Sequence, residues 1–66
     1  MYEQLNKIHN SLVNGQRKQM TRQIDEYGLY DFWSDYSRFL KDCYKPAEVL
    51  YWFEDAVTSY HKIKNR

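Results

Sequence analysis

The chain has 66 residues, with ten Lys or Arg against nine Asp or Glu and a formal net charge of +1, which is the size of one domain with a small hydrophobic core. Its lone cysteine, Cys43, excludes an intramolecular disulfide and a cysteine-rich zinc site, and points to a reducing compartment. The near-neutral balance argues against a strongly basic nucleic-acid binder, while an aromatic fraction of 18% favours a reinforced core, a contact surface or both.

Leu5, Ile8 and Leu12, joined by Met1 or Tyr2, recur every three to four residues and predict a first helix over residues 2–13. Asn14 and Gly15 both tolerate the left-handed conformation that ends helices, so a tight turn follows. Residues 16–27 predict a second helix with a narrow apolar stripe of Met20, Ile24 and Tyr27, closed by Gly28. That stripe is too small to hold a helix alone, so it must lean on its neighbours.

Asp31 is read as the cap of a third helix reaching Tyr44. Leu29, Phe32, Trp33, Tyr36, Phe39, Leu40 and Cys43 cover an arc of roughly 120° at ~3.6 residues per turn, which makes this helix the expected centre of the core. Cys43 is read there as a small core residue. Lys45-Pro46 breaks the pattern and starts a fourth helix over residues 46–64, with Glu48 complementing the dipole at its start and Lys62, Lys64 and Arg66 at its end. Leu50, Phe53, Val57 and Tyr60 form one apolar seam on it, and Val49, Trp52, Ala56 and Ile63 a second. No stretch alternates like a strand, so the chain is expected to be all-α: one domain, 1–66, built as a compact bundle of three to four short helices.

Charge is unevenly spread. Residues 1–23 carry Lys7, Arg17, Lys18 and Arg22 against Glu3; residues 24–55 carry eight acids against Arg38, Lys41 and Lys45; the last residues are basic again. Whether the two basic ends meet depends on the fold.

Catalytic and metal chemistry find little support. His9, His61 and Cys43 lack any metal-ligand spacing, and both histidines are read as surface or half-buried residues. Asp31 and Asp35 share a helix face, but an acid–base pair needs a cleft that shifts its pKa values, for which four short helices leave little room. A non-enzymatic protein without cofactor or metal is expected. The turn at Asn14-Gly15, followed by a helix bearing Arg17, Lys18 and Arg22, has the parts of a helix-turn-helix, so nucleic-acid binding through residues 16–27 stands as an alternative. Trp52 and Ile63 lie at the far edge of the fourth helix's apolar arc, where either another helix of the chain or a partner subunit would cover them, and Tyr51 and Tyr30 suit the rim of such a contact.

Ser11-Leu-Val-Asn-Gly-Gln-Arg-Lys-Gln-Met, then Gln23-Ile-Asp-Glu-Tyr-Gly-Leu-Tyr-Asp-Phe-Trp-Ser-Asp-Tyr, resembles small uncharacterised proteins of tailed bacteriophages, particularly those infecting cyanobacteria, and the ending Tyr60-His-Lys-Ile-Lys-Asn-Arg is similar. The resemblance covers about the middle half of the chain. It carries over no catalytic residue, and implies a protein made inside an infected bacterial cell.

Together these readings give a leading expectation: a cytoplasmic protein, homodimeric through helices three and four with Trp52 near the contact, that binds a host or phage protein through an aromatic and acidic surface of Trp52, Ile63, Tyr51, Tyr30 and Asp35. A phage structural or assembly factor is a further alternative. No leader or membrane span is read from the sequence.

Overall fold

The computed structural model describes residues 2–65, and within them the chain forms four helices and no strand: α1 (Glu3–Val13), α2 (Arg17–Tyr27), α3 (Leu29–Cys43) and α4 (Pro46–Lys64). Met1 and Arg66, read above as part of the first apolar stripe and of the basic end of α4, lie outside the described residues. The bundle is all-α, as its apolar periodicity predicts.

Each break has a local cause. Gly15 takes a φ of 76°, the left-handed value that closes a helix, while the amides of Gly15 and Gln16 return to Leu12 and Ser11 carbonyls. Gly28 alone separates α2 from α3. Its amide bonds to the Ile24 carbonyl at 3.0 Å and its carbonyl accepts from the Phe32 amide at 2.8 Å, so one residue ends one helix and begins the next. A φ of 108° with a ψ of 114° makes that reversal in a region that side-chain-bearing L-residues rarely enter. Asp31 is therefore not the cap of α3. It lies in the first turn, where its charge complements the helix dipole instead. Pro46 occupies the first turn of α4, where a missing amide hydrogen costs nothing.

The core follows α3. Phe32, Tyr36 and Leu40, spaced four apart, are buried and meet Met20 and Ile24 of α2, Leu5, Ile8 and Leu12 of α1, and Ala56 and Tyr60 of α4. Phe32 and Tyr36 stack with ring centroids 4.9 Å apart, and Trp33 closes the outer side edge-on against Phe53 and Tyr60. Three residues depart from the expected arc. Leu29, Leu50 and Cys43 are exposed, because the apolar arcs of α3 and α4 are wider than their neighbours can cover and Cys43 lies at the very end of its helix.

His9 departs in the other direction. It is 2% exposed, neither at the surface nor half-buried, and is ringed by Tyr36, Phe39, Tyr44 and Trp52 at centroid distances of 5.1–5.9 Å. A polar ring is admitted there because its Nδ1 has a hydrogen-bond partner, the Tyr36 hydroxyl, at 2.7 Å. Ser11 is buried on the same terms, its hydroxyl donating to Gln23 Oε1 at 2.8 Å.

Three tyrosine hydroxyls tie helices together through aspartates: Tyr2 donates to Asp42, Tyr27 to Asp35 at 2.6 Å and Tyr60 to Asp25 at 2.6 Å. Asp35, read above as part of a partner surface, is the acceptor that fixes Tyr27.

Candidate functional site

The two basic ends of the sequence meet. α2 and α4 run in the same sense, joined near the start of α2 by Arg17, whose Nε donates to Ser59 Oγ at 2.9 Å and whose guanidinium lies 3.9 Å from Asp55. Further along, Asp25 accepts from Tyr60 and pairs with Lys64 at 2.6 Å. Between and outside these ties lies an open groove of about 780 Å³, lined by Arg17, Lys18 and Arg22 from α2 and by Lys62 from α4. Gln16, Gln19 and Thr58 add hydrogen-bonding groups, and Asp55 is the one carboxylate in the lining.

The local fold explains why these side chains converge. Met20 and Ile24 of α2 point into the core, which turns Lys18 and Arg22 outward on the opposite face. Ala56 and Tyr60 do the same for α4, leaving Thr58 and Lys62 on the outer line beside α2. Arg17 is held by Ser59 and Asp55, whereas Lys18, Arg22 and Lys62 have no ion-pair partner among the described residues. Four cations against one carboxylate, three of them unpaired, attract anions. Lys64 belongs to the Asp25 pair rather than to the groove. That pairing, with the Tyr60 hydroxyl, holds the Asp25 carboxyl below its ordinary value.

Exposed apolar residues form no single patch around the partner residues expected from sequence. Trp52 is half-buried, its indole edge-on to His9 at 5.1 Å, so another helix of the chain covers much of the second seam. Ile63 is half-buried and lines the basic groove, and Asp35 is engaged by Tyr27. Tyr30 is 94% exposed and Tyr51 62% exposed, but they lie toward opposite ends of α4: Trp33, one turn after Tyr30, packs on Phe53 and Tyr60, whereas Tyr51 is in the second turn of α4. Arg17, Lys18 and Arg22 are brought together, and Lys62 joins them. Lys62 was counted in the basic tail but not placed, since only the non-local pairing of α2 with α4 sets it beside them.

Among the described residues, no three His, Cys, Asp or Glu side chains converge as a metal site, and no helix is long and apolar enough to cross a membrane. Compared with protein-family models, curated proteins and solved structures, the chain matches none.

Proposed function

We propose that this chain is a non-catalytic binding protein whose ligand is a nucleic acid, held by its phosphates in the groove between α2 and α4. The observation that carries this reading is the convergence of Arg17, Lys18, Arg22 and Lys62 from the two ends of the sequence on one groove. A net charge near zero over the whole molecule does not oppose it, because attraction is set by the local field and three of these cations have no ion-pair partner among the described residues. The lining favours phosphate over a protein surface. A protein contact is organised around an apolar centre, and here Ile63 is the one large apolar side chain in the groove.

Three to four phosphate contacts predict micromolar, salt-sensitive binding. For a single strand, affinity falls as the salt concentration to about the −0.7 power per contact, so a rise from roughly 50 to 200 mM salt lowers it roughly 20- to 50-fold. Fluorescence anisotropy with a labelled oligonucleotide measures this directly. Lys18→Glu with Lys62→Glu, neither of which breaks an ion pair or side-chain hydrogen bond among the described residues, is expected to abolish the signal; unchanged binding by the double variant would overturn the reading.

Contact with a host or phage protein is a second reading, favoured by the exposure of Tyr30, at 94%, and Leu50, at 64%. Homodimerisation through the same side chains belongs to it. Light scattering of the wild type and of Leu50→Glu tests it, a concentration-independent monomer mass for both counting against the dimer.

A further inference from the structure

We infer that the nucleic acid taken by the α2–α4 groove is single-stranded, with Tyr51 as the platform on which one of its bases stacks; the inference rests on the phosphate-binding reading above and narrows it. At 3.6 residues per turn, Tyr51, Asp55, Thr58 and Lys62 fall on one line along α4, and the last three line the groove. Tyr51 therefore stands one turn beyond the groove's end, about 16 Å along the helix axis from Lys62. A strand lying along that line meets Lys62 first, passes Thr58 and the Asp55 carboxylate, and reaches the aromatic ring last.

The ring is exposed and in contact with a neighbouring aromatic side chain. Tyr51 is 62% exposed, yet its ring is set edge-to-face against Trp52 at 4.9 Å and 76°, and Trp52 is in turn set against buried His9 at 5.1 Å and 83°. An exposed side chain braced through two T-shaped contacts has already given up much of its rotational freedom on folding, so stacking a base on it costs less ordering. Glu48, Glu54 and Asp55 lie within one turn of Tyr51 on α4. Their charge opposes the phosphates nearest the stacked base, so affinity is carried by the phosphate contacts at Lys18, Arg22 and Lys62, and the ring adds the base contact.

Shape separates a single strand from a duplex. Duplex grooves are entered by a protruding helix, as in a helix-turn-helix. Here the cations line the walls of a concavity between two helices, and the second half of α2 presents Glu26, whose charge opposes a duplex backbone laid along it. A cationic groove continued by an aromatic side chain is the arrangement by which single strands are held with little dependence on sequence.

The test uses the full chain and four probes: a single-stranded oligothymidylate, a hairpin duplex of equal charge, inorganic polyphosphate, which has charge but no bases, and polyglutamate, which has charge but no phosphate. Tyr51→Ala is expected to weaken oligothymidylate binding about tenfold or more, to leave polyphosphate binding and the salt dependence unchanged, and to be rescued by Tyr51→Trp. Photocrosslinking of a bromouracil-substituted strand is expected to map to Tyr51, a readout independent of any substitution. If the hairpin binds as tightly as the single strand, or if Tyr51→Ala leaves oligothymidylate binding unchanged while Lys18→Glu with Lys62→Glu abolishes it, the stacking inference falls and the phosphate groove stands. If the double charge reversal has no effect, or if polyglutamate binds and the nucleic acids do not, both fall.

Discussion

The Nδ1 atom of His9 lies 2.7 Å from the Tyr36 hydroxyl oxygen, and both side chains are buried. Burial pushes the Tyr36 phenol up, so it stays protonated, and pushes His9 down, so its ring stays neutral; with the ring proton on Nε2, the phenol donates to Nδ1. The pair links α1 to α3 at the centre of an aromatic cluster, and the stability of the bundle becomes sensitive to pH through it.

Because the folded pKa of His9 is lowered, the unfolded chain binds more protons once pH falls below the ordinary value of 6.5. The contribution of His9 is full above that pH and is lost as pH falls toward its depressed folded value. Melting temperatures measured between pH 7.5 and 5 are expected to decline in the wild type and to decline less in His9→Gln. Equal slopes would show that His9 is not the group responsible.

Tyr36→Phe keeps the ring and removes the partner of a buried nitrogen. The expected loss is about 1–3 kcal/mol, the cost of leaving a buried polar group unsatisfied. Urea unfolding measures it, and an unchanged midpoint would mean that His9 finds another partner.

Gly28→Ala isolates a backbone cost, because an added Cβ meets nothing closer than Asp31 Oδ2 at 3.9 Å. Any destabilisation, expected at about 1–3 kcal/mol, therefore comes from the φ of 108°. At Gly15 the φ of 76° is nearer the left-handed well and the space is open, so Gly15→Asn is expected to cost well under half as much. Paired thermal melts of the two variants compare the two turns.

These turns mark how far the sequence could be read. α4 begins and ends where its proline and its basic residues predict, since the signals are local. The cap of α3 was assigned to Asp31 because a one-residue link between helices leaves no polar cap in sequence; Gly28 serves both ends. Cys43 is exposed because it lies at the end of α3, whereas His9 and Ser11 are buried for a common reason. A helical wheel gives the direction of a side chain, whereas burial of a polar one depends on a distant partner, Tyr36 or Gln23, that only the packed structure supplies. The groove was legible in half: Arg17, Lys18 and Arg22 are evident on their own helix, but Lys62 joins them through contacts some forty positions apart in the chain.

Tyr27 offers an alkaline counterpart to His9. Its hydroxyl donates to Asp35 at 2.6 Å, and that bond, with burial, pushes its pKa up to about 12. A raised phenol pKa means that the unfolded chain loses its proton first, so stability is lost as pH rises from 10 toward 12. Tyr27→Phe is expected to cost about 1 kcal/mol at neutral pH and to flatten the alkaline decline in melting temperature attributable to this pair.

Asp55→Asn removes the one carboxylate from the groove lining while keeping its shape. The Arg17–Asp55 contact is long, at 3.9 Å, and its partners are partly exposed, so little stability is expected to be lost. Removing an opposing charge at such a distance is worth about 1 kcal/mol in water, hence roughly fivefold tighter oligonucleotide binding. Weaker binding by this variant would mean that Asp55 orients Arg17 for the ligand rather than opposing it.

The walls of the groove are pinned together twice, by Arg17 to Ser59 and Asp55 near the start of α2 and by Asp25 to Tyr60 and Lys64 further along. Two attachments along two stiff rods restrain both their separation and their relative tilt, the short Asp25 tie more firmly than the long Arg17–Asp55 contact. A ligand must then fit the aperture as it stands. Association is expected to run as one phase at a rate set by diffusion and charge, free of a conformational gate, and a substitution at either pin will register first in how long the ligand stays.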